Sequence, residues 1–305
     1  MWFVFTIITT LAWGTADLFY KKGQDENDKY SFLKTSMIVG IVMGAHAIYT
    51  LLAGDIGFEP VNLVKYLPVS SMYILSMTVG YLGLKYLELS ISSPIQNSSG
   101  AVCCIMCLIF LGMRLEGMTL IGVILVCVAM LTLGVLEKID ANRMADIGQK
   151  KYRVGFVAII LPVIYCILDS LGTFFDAYYL DDVASSPLVG VTENNLEDVA
   201  NVSYELTFLI CAVLIFIFLM IKKQKIEVPK QKDKLLAAVF ETCGQATYVY
   251  ALSANPAVAA AVISCYAIVS LILSRIFLKE KLSYVHYIVI AVAMVGIAIL
   301  GVADA

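Results

Sequence analysis

Residues 2–22 read WFVFTIITTLAWGTADLFYKK, and this one stretch decides what kind of molecule follows. From Trp2 to Tyr20 the only charge is Asp17, and Lys21-Lys22 then closes the run. About 20 apolar residues, rising about 1.5 Å each as a helix, cross the roughly 30 Å hydrocarbon core of a bilayer. A cleaved signal peptide would begin with a basic region and end at small residues flanking a cut site. This stretch has neither, so it reads as a helix that stays in the membrane.

Outward from it the same pattern recurs to the C-terminus. Ten spans are expected, at about 2–21, 32–53, 66–88, 92–113, 117–136, 154–180, 201–221, 235–253, 256–277 and 283–303, from apolar run length alone. The 305 residues are 60% apolar and 15% charged, with mean hydropathy +0.87. A soluble domain carries roughly 25% charged residues, so this chain cannot cover a water-facing surface. That excludes a cytosolic enzyme, a nucleic-acid binder and a disordered scaffold. The expectation is an all-α, multi-pass protein of the cell (plasma) membrane, with the lipid bilayer as its solvent.

Charge divides unevenly between the loops. Loops 1–2, 5–6, 7–8 and 9–10 hold 18 of the 21 Lys and Arg, whereas loop 181–200 has five acids and no base. The positive-inside rule then puts the odd loops in the cytoplasm and both termini outside.

The chain also repeats itself. Lys85-Tyr-Leu-Glu-Leu-Ser-Ile-Ser-Ser-Pro94 sets against Thr247-Tyr-Val-Tyr-Ala-Leu-Ser-Ala-Asn-Pro256. Farther on, Glu116 meets Glu280, and Val128-Ala129-Met130 meets Val292-Ala293-Met294. In spans 1 and 6, Trp13-x-x-x-Asp17 meets Tyr165-x-x-x-Asp169. Five spans is an odd number, so a second copy must sit inverted. The expected division is a first five-helix repeat in 1–150 and a second in 151–305, a plan recurrent in secondary transporters.

Two five-helix repeats in about 300 residues resemble the EamA-like branch of the drug/metabolite transporter superfamily. The residues that carry the likeness are Trp13-Gly14 with Lys21-Lys22, the turns around Glu116 and Glu280, and the run Ala257 to Ala261. The resemblance implies a carrier that moves small metabolites by alternating access. The chain departs from that family's pattern where Ser98-Ser-Gly-Ala101 and Ser264-Cys-Tyr-Ala267 stand in place of proline, and in the side on which its termini are expected.

Charges deep in a membrane cost roughly 2.5–3.5 kcal/mol on insertion scales, so intramembrane acids are functional candidates. Asp17 lies about 21 Å along span 1 and Glu241 about 9 Å along span 8, which the topology brings to similar depths under the odd-loop face. Asp169 is expected at a comparable depth under the opposite face, one acid in each half-channel. A carboxyl group withdrawn from water, or set beside another, holds its proton to higher pH, as coupling to a proton gradient requires. Aromatic residues at helical spacing flank these acids, a setting that suits an amine through ion pairing and cation–π contact. The expected site is Asp17, Glu241, Asp169 and Lys85 with Trp13, Tyr81, Gln245, Tyr248 and Tyr266. Lys85 also has a structural reading, with Glu88 at i+3 as a partner.

Other motifs read more blandly. His46 is a mid-span packing histidine before it is a proton relay, and Gly40-x-x-x-Gly44 permits close helix approach within the chain. Cys104-x-x-Cys107 has no second Cys/His pair to complete a metal site. No phosphate-binding glycine loop, catalytic triad or zinc motif occurs, so no catalytic residue, metal or cofactor is expected. The function expected is a monomeric or homodimeric secondary transporter, proton-coupled, for a small polar amine-bearing metabolite such as an amino acid. An uncoupled facilitator or exchanger is the alternative, and a non-transporting receptor or assembly subunit is a third.

Overall fold

A backbone N–H or C=O in hydrocarbon finds no water, so a lone segment there must satisfy its own groups as a helix. The computed structural model describes residues 1–25, 27–54, 56–146, 156–280 and 283–304, and among these there is no strand. The helices are α1 (Trp2–Gly23), α2 (Ser31–Ala53), the short α3 (Asn62–Lys65), α4 (Leu67–Tyr86), α5 (Leu89–Phe110) and α6 (Gly117–Asp146). They continue as α7 (Phe156–Leu180), α8 (Leu196–Ile221), α9 (Lys232–Ala254), α10 (Pro256–Ile263), α11 (Tyr266–Leu273) and α12 (Tyr284–Asp304).

Eight helical segments among the described residues are long and apolar enough to cross a membrane, α10 and α11 with the π-turn Ser274–Leu278 counting as one. The others of comparable length are α9, which carries Glu241 and Gln245, and α12, whose apolar part is Tyr284–Leu300. Large apolar side chains such as Val213, Leu214, Phe216 and Ile217 of α8 face outward, as a lipid-facing surface requires. The expected boundary between 150 and 151 lies outside the described residues.

Several spans differ from expectation. The span expected at 256–277 divides at Ser264-Cys265, where the Ser264 hydroxyl donates to the Ala261 carbonyl at 2.6 Å. The backbone there tightens, with Cys265 N–H bonding Val262 O. A serine side chain competing for helix carbonyls opens the break without a proline. α5 starts at Leu89 because Glu280 supplies a cap: its Oε1 accepts the Leu89 N–H at 3.2 Å, satisfying an orphan donor of the first turn. α6 runs past residue 136 to Asp146.

The helices pair as α1 with α9, α2 with α8, α4 with α7, and α6 with α12, while α5 lies against α6, α7 and α10. Gly40 and Gly44 make the α2–α8 contact possible: a Cβ on Gly40 would meet the Phe208 carbonyl oxygen at 2.4 Å. This small-residue motif works inside the chain. At the even-loop end, segments 56–66 and 181–195 are stapled together. Asn62 donates to Val189 O and accepts from Val189 N–H at 2.9 and 2.8 Å, and the Lys65 ammonium donates to Pro187 O. At the opposite end the Lys21 ammonium donates to the carbonyls of Leu84 and Leu87, both at 2.6 Å, tying α1 to the last turn of α4.

Candidate functional site

The paired helices leave a central cavity of about 810 Å³, its mouth included. Helical spacing decides who reaches it. Trp13, Asp17 and Tyr20 come from one face of α1, Tyr165, Asp169 and Thr173 from α7, and Glu241, Gln245 and Tyr248 from α9. Tyr73, Met77 and Tyr81 come from α4, Gln96, Asn97 and Ser99 from α5, Tyr204 from α8 and Tyr266 from α11. The break before Tyr266 lets its ring meet Trp13 edge-on at 5.7 Å, while Tyr248 lies 5.0 Å from the same indole. The Trp13 N–H donates to the Glu241 carbonyl at 3.2 Å, which fixes the indole against α9.

The three expected acids line this one cavity, not two separate half-channels. α7 packs against α4 and α5, and that brings Asp169 inward to the same space as Asp17 and Glu241. Each acid has hydroxyl donors from a neighbouring helix. Ser93 of α5 and Ser270 of α11 both donate to Asp17 Oδ2 at 2.6 Å. Ser99 donates to Asp169 Oδ2 at 2.7 Å, Ser76 reaches Oδ1 at 3.5 Å, and Tyr20 donates to Glu241 Oε2 at 3.2 Å. Hydrogen bonds to ionised groups are the stronger ones, about 1.5–3 kcal/mol net, so these donors hold the carboxylates in place.

Of the nine expected site residues, eight line the cavity and Lys85 does not. Its ammonium donates to the Asp28 carbonyl at 2.9 Å, at the end of the bundle. Lys85 sits in the last turn of α4, where a short loop brings a backbone acceptor within reach. Among the described residues no group of three or more His, Cys, Asp or Glu is arranged to hold a metal. Cys103, Cys104 and Cys107 are buried free thiols on α5.

Several site residues went unread in the sequence. Gln96, Asn97 and Ser99 are site residues in a run of four polar positions, 96 to 99, inside a span, and such a run is expensive enough in hydrocarbon to have been a signal. The Gln96 Nε2 is buried in the cavity wall with no hydrogen-bond partner among the described residues. Glu205 was hidden because span 7 was expected to start at 201. α8 starts at Leu196, so Glu205 is well inside it, fully buried, with both oxygens 2.9 Å from His46 Nδ1. Asn201, which with Val202 and Ser203 spells a glycosylation sequence, is likewise buried in α8.

Residues 1–135 and 204–302 match the model of a family described as the EamA-like transporter family. No curated protein matches the chain. A protein of known crystal structure superposes with a TM-score of 0.63 at 13% identity, covering 97% of this chain and 95% of that one. That likeness is one of fold.

Proposed function

The chain belongs to the EamA-like transporter family, and from that premise we propose that it is a proton-coupled secondary carrier of a small amine-bearing metabolite in the cell membrane. One observation carries the substrate class. The cavity wall has three carboxylates and eight aromatic rings, and no Lys, Arg or His among its described residues. An ammonium finds there both an ion-pair partner and ring faces, each contact worth about 0.5–2 kcal/mol for the rings. The Gln96 amide, whose Nε2 has no partner among the described residues, offers a donor to the polar remainder of the molecule. Carboxylates withdrawn from water carry a charging cost that either a proton or a cationic substrate relieves. Competition between the two for one cavity is exchange.

The carrier architecture proposed is ten spans in two inverted repeats, α1 to α6 and α7 to α12. Packing supports it. Exchanging α1 with α7, α2 with α8, α4 with α9, α5 with α10–α11 and α6 with α12 turns the α1–α9 pair into the α7–α4 pair. The α2–α8, α5–α10 and α6–α12 pairs map onto themselves. The matched residues Trp13 and Tyr165, and Asp17 and Asp169, meet at the cavity between the two halves.

The test is proton movement in proteoliposomes loaded with a pH-sensitive dye. Amines, amino acids, sugars and nucleotides are added in turn, with Glu241→Gln protein alongside. A response to the amine-bearing pools that disappears in the variant is expected. Silence from every pool while labelled substrate still exchanges would remove proton coupling. Wild-type transport by an Asp17→Asn/Glu241→Gln protein would remove the acid assignment.

A further inference from the structure

The three carboxylates of the cavity are not equivalent. Glu241 is buried, whereas Asp17 and Asp169 each keep part of their surface open. Ser93 and Ser270 both donate to the same Asp17 oxygen, Oδ2, and among the described residues Oδ1 has no hydrogen-bond partner. Asp169 Oδ2 is taken by Ser99 at 2.7 Å, while Oδ1 has only Ser76 at 3.5 Å, beyond the usual hydrogen-bond range. Each aspartate therefore presents one oxygen to a ligand.

α5 sets how far apart they stand. Ser93 holds Asp17 and Ser99 holds Asp169, and positions 93 and 99 of one helix are separated by about 9 Å of rise. The two carboxylates are held at roughly that spacing along the α5 axis. An ammonium at about 2.7–3.2 Å from each, on the cavity side, puts two nitrogens about 5–8 Å apart. About three to five carbons span that distance, at about 1.2 Å for each bond of an extended chain. The Tyr266 phenol lies within electrostatic reach of both aspartates and its ring meets Trp13, so aromatic faces are present for the linking chain and its charged ends.

We propose that the cavity takes a dication, two ammonium groups joined by about three to five carbons, with one ammonium on Asp17 and the other on Asp169. This names the substrate class of the site and rests on the amine reading above. A single ammonium leaves the second aspartate without a countercharge in a site withdrawn from water, and the second ammonium supplies it. Once the first ion pair has formed, the second forms within the complex, at high effective concentration. Gln96, midway between the two serines on α5, has its unpartnered Nε2 free for an oxygen on the linking chain. Glu241 stands outside the bridge.

Calorimetric titration of the purified protein in detergent compares 1,4-diaminobutane with butylamine. The diamine should bind wild type at least about tenfold more tightly. Asp17→Asn and Asp169→Asn should each bring that ratio to about one, whereas Glu241→Gln should weaken both ligands and leave the ratio standing. A ratio that falls alike in all three variants would report net charge alone and overturn the bridge. The second measurement needs no substitution. Along the α,ω-diamines, the advantage over the monoamine of equal length should peak at about three to five carbons and fall severalfold by about eight. An advantage that does not depend on length, or that rises steadily with it, overturns the bridge. Butylamine bound by wild type as tightly as the diamine overturns the dication and leaves the amine reading, and no binding of either overturns both. Diamine binding with no flux of labelled diamine in proteoliposomes would strike the carrier reading alone.

Discussion

Gly100→Ala is the substitution whose cost the geometry specifies best. α5 crosses α10 at this residue, and a Cβ built on it would lie 2.3 Å from the Ala260 carbonyl oxygen and 2.5 Å from Ser264 Cβ. Neither neighbour is the free end of a flexible side chain, so the two helices must separate. Overpacking of this kind costs about 1–3 kcal/mol. A fair reference is Gly83→Ala in α4, where the nearest atom, Leu161 Cβ, stands at 3.6 Å, an ordinary contact. Both substitutions gain the same helix propensity, about 1 kcal/mol, so the difference between them isolates the clash. Gly100→Ala is expected to be less stable than Gly83→Ala by about 1–3 kcal/mol, a factor of about 5 to 150 in the unfolding constant. Chemical unfolding of both proteins in the same detergent measures it. Because α5 also carries Ser93 and Ser99, the donors to Asp17 and Asp169, moving it should weaken cation binding as well. A Gly100→Ala protein as stable as Gly83→Ala would refute the close α5–α10 crossing.

Three further outcomes follow from other parts of the molecule. Trp2→Phe leaves Trp13 as the sole tryptophan. Its fluorescence should then report phenyltrimethylammonium binding, with about tenfold weaker affinity in Glu241→Gln if one ion pair is worth about 1.4 kcal/mol, and unchanged affinity in Lys85→Gln. Asn62→Ala removes the acceptor of the Val189 N–H, so that amide should exchange with solvent about five- to tenfold faster by mass spectrometry, for a bond worth about 1 kcal/mol. Burial works against the charge on Asp28, yet the Lys34 ammonium at 2.7 Å and the Tyr30 N–H hold its carboxyl below the usual range. A lowered folded value stabilises above the ordinary carboxyl range and is lost as pH falls through it. The Lys34 ammonium also donates to the Lys225 carbonyl at 2.9 Å, a bond indifferent to acid, so the stability gap between wild type and Lys34→Met should narrow in acid without closing, and a gap that does not narrow would refute the pairing.

The spans were legible because hydrocarbon leaves a lone backbone segment no alternative to the helix, and the acids because burying charge is costly wherever it occurs. What hid the rest was the ends of elements and the faces of helices. The expected span 7 opens at 201, five residues after α8 begins at Leu196, which left Glu205 unread near its edge, although it lies inside the helix against His46. Lys85 was read with the cavity because it shares a stripe with Tyr81. One turn nearer the helix end, it meets the Asp28 carbonyl and not the site.

Ser98 and Ser99 make the limit concrete. Each is a serine in the middle of the same span, one residue apart. The Ser98 hydroxyl turns back to the Pro94 carbonyl of its own helix at 3.0 Å, while Ser99 crosses to Asp169 at 2.7 Å. Their difference is the rotation of about 100° between successive helix positions, and it acquires meaning only because α7 lies on one side of α5 and α6 on the other. A serine bonded to its own helix carries no information about function; one bonded to a buried acid on another helix helps to set where a cation can sit. Propensity and hydropathy treat the two alike. The roles of polar residues in such a bundle are therefore assigned by which neighbour each helix face meets, and the α5 run Gln96-Asn97-Ser98-Ser99 divides accordingly: Gln96, Asn97 and Ser99 line the cavity, and Ser98 does not.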